Sequence, residues 1–139
     1  MSFFEGIQQV VTADNNNSFT ANLASNALCS GIATSTLGVA GIQVSLKTDQ
    51  NCHVWVEQSP DGNNWDLVDE YDYHANGNFG LTVQAVSSYI RVRAQNTGAN
   101  TTTFFRLQTA LCPIVEAVPR SLDEDGNFKV AIYGIQDEY

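Results

Sequence analysis

Two groups of oxygen-bearing side chains have the types that metal binding or catalysis uses. Asp123, Asp125 and Asn127 surround Gly126 as the front of a calcium loop would. A loop of the EF-hand kind also needs a glutamate at its twelfth position, and here that position is Gly134. Asp-Gly and Gly-Asn are equally good hairpin-turn chemistry. The trio is therefore assigned to a turn, and no metal is expected. Asp66, Asp69, Glu70 and Asp72 crowd around Tyr71 and Tyr73, and paired carboxylates can cleave glycosides. Alternation sends Asp66 and Glu70 to one face and Asp69 to the other, so the cluster reads as a solvated strand. The only histidines, His53 and His74, have no metal-ligand spacing and no neighbouring nucleophile, and no Gly-x-Ser-x-Gly elbow is present. No enzymatic activity and no cofactor are expected.

Binding is the chemistry better served. Trp55, Tyr71 and Tyr73 could offer aromatic platforms to a sugar, with Arg91 and Arg93 as polar partners. Trp65 follows a turn in phase with Leu67 and is expected in the core instead. Cys29, Cys52 and Cys112 are odd in number, widely spaced and without a C-x-x-C pair, which points to buried free thiols.

The elements that must position these residues are strands. Period-two alternation over Ile42–Leu46, Val54–Glu57, Phe79–Ala85, Tyr89–Ala94 and Phe104–Leu107 gives five central strands. Asp66–Tyr71 adds another after the Ser59-Pro60-Asp61-Gly62 turn, and Ile7–Thr12, Ser18–Leu23 and Thr34–Val39 bring the total to eight or nine. Val44, Val56, Leu67, Leu81, Val83, Val92 and Leu107 are expected in the core. The one helical candidate, Ala21–Leu28, is weakened by Asn22, Ser25 and Asn26. The fold class is all-β, an antiparallel sandwich of jelly-roll-like form.

The chain has 139 residues, with 15 acidic against 6 basic and a net charge of -9. Length fits a single sandwich domain over residues 1–112. An acidic surface disfavours nucleic acid and anionic lipid, so neither nucleic acid nor membrane is expected as a partner. No apolar run approaches the ~20 residues of a membrane span. The N-terminus lacks the basic and apolar regions of a secretory signal, which implies folding in a reducing cytosol.

Beyond Cys112 the character changes. Pro113 and Pro119 stiffen an extended connector, and the turn at Asp123–Asn127 leads into the alternating Phe128, Val130 and Ile132. Residues 113–139 thus read as an extended connector and β-hairpin arm, open to continuation into a further domain, whose Phe128, Val130 and Ile132 add to a sheet on a neighbouring subunit or on another protein of the same assembly.

Three stretches, Val56–Trp65, Tyr89–Arg93 and Pro119–Val130, resemble the N-terminal region of virion structural proteins in tailed bacteriophages. The resemblance covers about residues 42–133. Its Ser-Pro-Asp-Gly hairpin also recurs in discoidin-like and other sugar-binding sandwiches. The phage resemblance implies a non-enzymatic protein made in the host cytoplasm and carried in the virion, where it decorates the capsid or anchors a fibre. The implied partners are other capsid or tail proteins and further copies of the chain, with a trimer favoured. The other resemblance implies a carbohydrate-binding module of a receptor-binding protein or adhesin.

Overall fold

Apolar residues on alternate positions become the buried faces of two antiparallel sheets. The computed structural model describes residues 10–114. The strands are β1 (Thr12–Ala13), β2 (Leu28–Ser30), β3 (Thr34–Ser35), β4 (Val39–Thr48), β5 (Cys52–Ser59), β6 (Leu67–Tyr73), β7 (Phe79–Gln84), β8 (Tyr89–Asn96) and β9 (Phe105–Pro113). A 3-10 turn, Asn15–Asn17, is the only helical element among the described residues. One sheet has the order β1-β9-β4-β7; the other has β2-β8-β5-β6, with β3 also on β8. With β2 and β3 taken as one interrupted strand, this is the strand order of a jelly roll.

Ile42, Val44 and Leu46 of β4, with Phe105 and Leu107 of β9, pack against Val54 and Val56 of β5 and Ile90, Val92 and Ala94 of β8. Val44, Val54, Ile90, Val92 and Leu107 are wholly excluded from solvent. Val83 closes the core from β7, whereas Leu81 is only half-buried against it. Leu67 departs from expectation, for it has the inward parity but is 48% exposed. It lies on β6, paired with Gln58 of β5, and β6 is an edge strand with a neighbour on one side only.

Several other segments differ from the sequence reading. No helix forms over Ala21–Leu28, where Asn26 adopts φ 67°. Ser18–Leu23 makes only an isolated bridge from Phe19 to Leu107. Its neighbour Ser18 instead takes the Thr109 amide on Oγ at 3.0 Å and donates to the Asp14 carbonyl at 2.8 Å. Trp65 lies half-buried on the outer surface rather than in the core. Pro113 ends β9, paired with Val39. The assembly residues Phe128, Val130 and Ile132 and the turn residues Asp123, Asp125 and Asn127 lie outside the described residues.

Buried amides tie the two sheets together. Asn17 donates to Asp14, to the Ile32 carbonyl and to Thr34 Oγ1. Gln58 accepts from the amides of Val86 and Ser87 and donates to the Gln84 carbonyl at 2.9 Å, anchoring the β7–β8 connection. Each satisfies main-chain groups that would otherwise be buried without a partner.

Candidate functional site

The outer face of the five-stranded sheet carries a continuous stripe of interlocked side chains. Alternation on β5 sends His53, Trp55 and Glu57 outward, and alternation on β8 does the same for Arg91 and Arg93. Antiparallel register sets Glu57 opposite Arg91 and Trp55 opposite Arg93. Glu57 then takes both guanidinium groups. Arg91 reaches its Oε1 through Nε at 2.7 Å and Nη2 at 2.6 Å, and Arg93 reaches Oε2 through Nη1 at 3.1 Å. Arg91 also lies 4.4 Å from the Trp65 ring centre, and Arg93 5.2 Å from that of Trp55. Both distances suit cation–π attraction. The Glu57 side chain is only 5% exposed beneath this cover.

Trp65 reaches the stripe because the preceding hairpin is rigid. Asp61 Oδ1 accepts from the amides of Asn63 and Asn64, both at 2.8 Å, and from Ser59 Oγ at 2.8 Å. Asn64 Nδ2 donates to its other oxygen at 2.7 Å. These donors, led by the two backbone amides, hold the Asp61 carboxyl well below the usual carboxylate range. Gly62 turns the chain at φ 77°, a left-handed conformation that glycine adopts without steric cost.

At the other end of the stripe the His53 ring meets Trp55 edge-on, with centroids 4.5 Å apart. Its Nδ1 lies 2.8 Å from Asp72 and its Nε2 2.9 Å from Glu70. Partial burial pulls the imidazole pKa down, but hydrogen bonds to the two carboxylates and their charges outweigh it, so the net direction is up. A histidine held this way orients carboxylates across β5 and β6. Among the described residues no serine, threonine or cysteine bonds to it as a nucleophile would.

The five proposed sugar-contact residues do not share a face. Trp55, Arg91 and Arg93 come together, but Tyr71 and Tyr73 pair with Val54 and Cys52 and turn inward. Tyr73 is 3% exposed, and its hydroxyl donates to the Gly77 carbonyl at 2.8 Å and accepts from the Thr48 amide at 3.2 Å. Tyr71 packs edge-on against Phe79. Glu57, central to the stripe, was not singled out from sequence, and Trp65, equally central, was assigned to the core. The strand parity of Glu57 beside two outward arginines is the signal that could have found it. Cys29 and Cys52 are buried free thiols, and Cys112 is half-buried. No group of three or more metal-ligating side chains occurs among the described residues.

A second concavity lies on the opposite side of the molecule, over the four-stranded sheet. Gln43, Ser45, Gly80, Thr82, Gln108 and Ala110 line a groove of about 870 Å³. All are uncharged, and the groove holds no aromatic ring.

The sequence matches the family described as "Uncharacterised protein YqxG N-terminal domain" over residues 6–111. No curated protein matches it. Among solved structures, the PBSX exported protein XepA is similar, with a TM-score of 0.67 at 16% sequence identity. The match covers 88% of this chain and 43% of XepA, so the chain spans less than half the length of that relative. Identity this low carries the fold alone.

Proposed function

This chain belongs to the YqxG N-terminal domain family, and from that premise we propose a phage-associated protein that works by association rather than catalysis. It decorates the capsid or anchors a fibre or tail component through subunit contacts, as a homo-oligomer and, by the phage resemblance, a trimer. The observation that carries this reading is the stripe on the five-stranded sheet. Tryptophan and arginine are the residue types that dominate protein interfaces, and here they surround a nearly dry carboxylate. The charged groups of the stripe are already paired with one another, which suits a contact surface better than acid–base chemistry. The setting is supported by the resemblance of Val56–Trp65, Tyr89–Arg93 and Pro119–Val130 to phage virion proteins; the similar XepA is described as a PBSX exported protein. Fold alone does not select the role.

Sugar binding on this stripe is the weaker reading, because Glu57 occupies both guanidinium groups that a sugar would need.

The test is incorporation. Labelled protein should co-sediment with purified particles and be found there by mass spectrometry, and the doubly substituted Trp55→Ala, Arg93→Ala protein should be lost from them while remaining folded. Recovery of the wild-type protein only as free material in the medium would overturn the particle reading in favour of export.

A further inference from the structure

We propose that the outer face of the four-stranded sheet binds an acidic polysaccharide, with sugar hydroxyls along the neutral groove and a carboxylate or phosphate held by Arg106 beside the Lys47 charge. This site is separate from the tryptophan–arginine stripe and does not depend on the association reading.

The first observation is a pair of like charges. Lys47 of β4 and Arg106 of β9 stand directly opposite each other in the antiparallel register. Such pairs put side-chain origins about 5 Å apart and destabilise the sheet when both carry the same charge. Among the described residues neither forms an ion pair with a carboxylate. Lys47 is steadied by the Asn76 and Gly77 carbonyls at 3.0 and 3.2 Å and by Asn78 Oδ1 at 3.3 Å, and Arg106 rests over Phe104. Lys47 has its three N–H groups engaged within the protein and contributes charge alone, whereas the Arg106 guanidinium has no hydrogen-bonded acceptor among the described residues.

The second is the distribution of charge. The net charge of the chain is -9, yet β1, β4, β7 and β9 contain no acidic residue, and Lys47 and Arg106 are their only charges. Asp49, two residues beyond Lys47, stays charged; its carboxylate accepts from Thr103 Oγ1 at 2.6 Å and the Thr103 amide at 3.0 Å, which hold its pKa below the ordinary value. Asp14, near the far end of the groove, is buried against Asn17. Among the described residues, the strands of this face thus carry two positive charges and no negative one.

The third is Gly80. It sits inside β7, where glycine costs stability, without a positive φ, and a Cβ built there would meet nothing within 4 Å. Neither backbone conformation nor packing requires it. Its missing side chain leaves the outer surface low at this point. Gly80 and Ser45 form the low floor that joins the 870 Å³ groove to a second hollow of about 610 Å³ at the Lys47–Arg106 end. Gln43, Thr82 and Gln108 rise beside this floor with amides and hydroxyls that both donate and accept, which matches vicinal hydroxyls. The 870 Å³ groove has no ring to stack on, so neutral glycan alone would be held weakly there, and the charged end supplies the remainder.

Polygalacturonate, neutral dextran, inorganic phosphate and anionic phospholipid vesicles are titrated separately into the protein by calorimetry and by co-sedimentation. Polygalacturonate is expected to bind, more weakly as salt rises, and dextran not measurably. Arg106→Gln should weaken binding about tenfold or more, as loss of one charge-assisted contact does. Gly80→Phe, which fills the floor without altering charge, should abolish it, and circular dichroism identifies any unfolded variant. If Gly80→Phe does not fold, Thr82→Trp replaces it. Binding unaffected by both groove and charge variants overturns the site. So does binding to vesicles or to inorganic phosphate alone without polygalacturonate.

Discussion

The side chain of Asn17 stands in for a missing strand residue beside Val92. Its Oδ1 accepts the Val92 amide at 2.7 Å, while the Val92 carbonyl takes the Gly31 amide at 2.9 Å. β2 ends at Ser30 and β3 begins at Thr34, and Asn17 fills the gap between them along β8. Gly31 leaves room for it, since a Cβ there would lie 1.8 Å from Asn17 Oδ1. Asn17→Ala should cost about 1–3 kcal/mol by leaving a buried main-chain donor unpaired. Denaturant unfolding checks this, and an unchanged midpoint would show that water replaces the amide.

Glu57 should be the least replaceable member of the stripe. Removing it as Glu57→Ala leaves two arginines facing one another, at a cost of about 1–3 kcal/mol once their partial exposure is allowed for. Replacing all three charges together, as Glu57→Met with Arg91→Met and Arg93→Met, should cost less than Glu57→Ala alone. Thermal melts of the two proteins decide the order.

Thr109 Oγ1 is buried and has no hydrogen-bond partner. Thr109→Val keeps the shape and removes the unpaired hydroxyl, so it should stabilise the protein by about 1 kcal/mol. A loss of stability in chemical denaturation would reveal a bound water at that position.

His53 should titrate above its ordinary value of 6.5. Its protonated form is favoured in the folded chain, so its contribution to stability is fully present below the unfolded value. That contribution is lost as pH rises through the folded one. Histidine resonances followed by nuclear magnetic resonance give the midpoint directly. In Asp72→Asn the midpoint should fall, and no change would mean the carboxylate does not face the ring in solution.

Burial pushes the Cys29 and Cys52 thiols up to about 11, with Cys29 adding to the shift at Cys52. Both should stay unreacted with iodoacetamide near neutral pH, while the half-buried Cys112 is alkylated. Because the folded chain holds these protons more tightly than the unfolded chain, stability should fall as pH rises from about 9 toward 11. Peptide mapping after native alkylation reads the first expectation, and a pH series of melts the second.

Strand parity was legible from local alternation. Ile42, Val44, Val54, Val56, Ile90 and Val92 face inward because a period of two leaves each side chain one choice of face. That logic also placed Arg91, Arg93 and Trp55 on a common surface. It could not say that Leu67 remains exposed, because exposure depends on which strand ends as an edge, and β6 has no outer neighbour. It also sent Trp65 to the core, whereas the Asp61 hairpin lays the ring beneath Arg91.

The all-β class and the alternating faces follow from the sequence by itself, since both are set by residues a few positions apart. Tertiary structure alone decided the rest. Lys47 and Arg106 are 59 positions apart, yet the β4–β9 register sets them face to face. Asn17 and Val92 likewise meet only when the jelly-roll order brings the first turn onto β8. Register between distant strands is a sum of many pairings and core contacts, so no single segment of the chain encodes it.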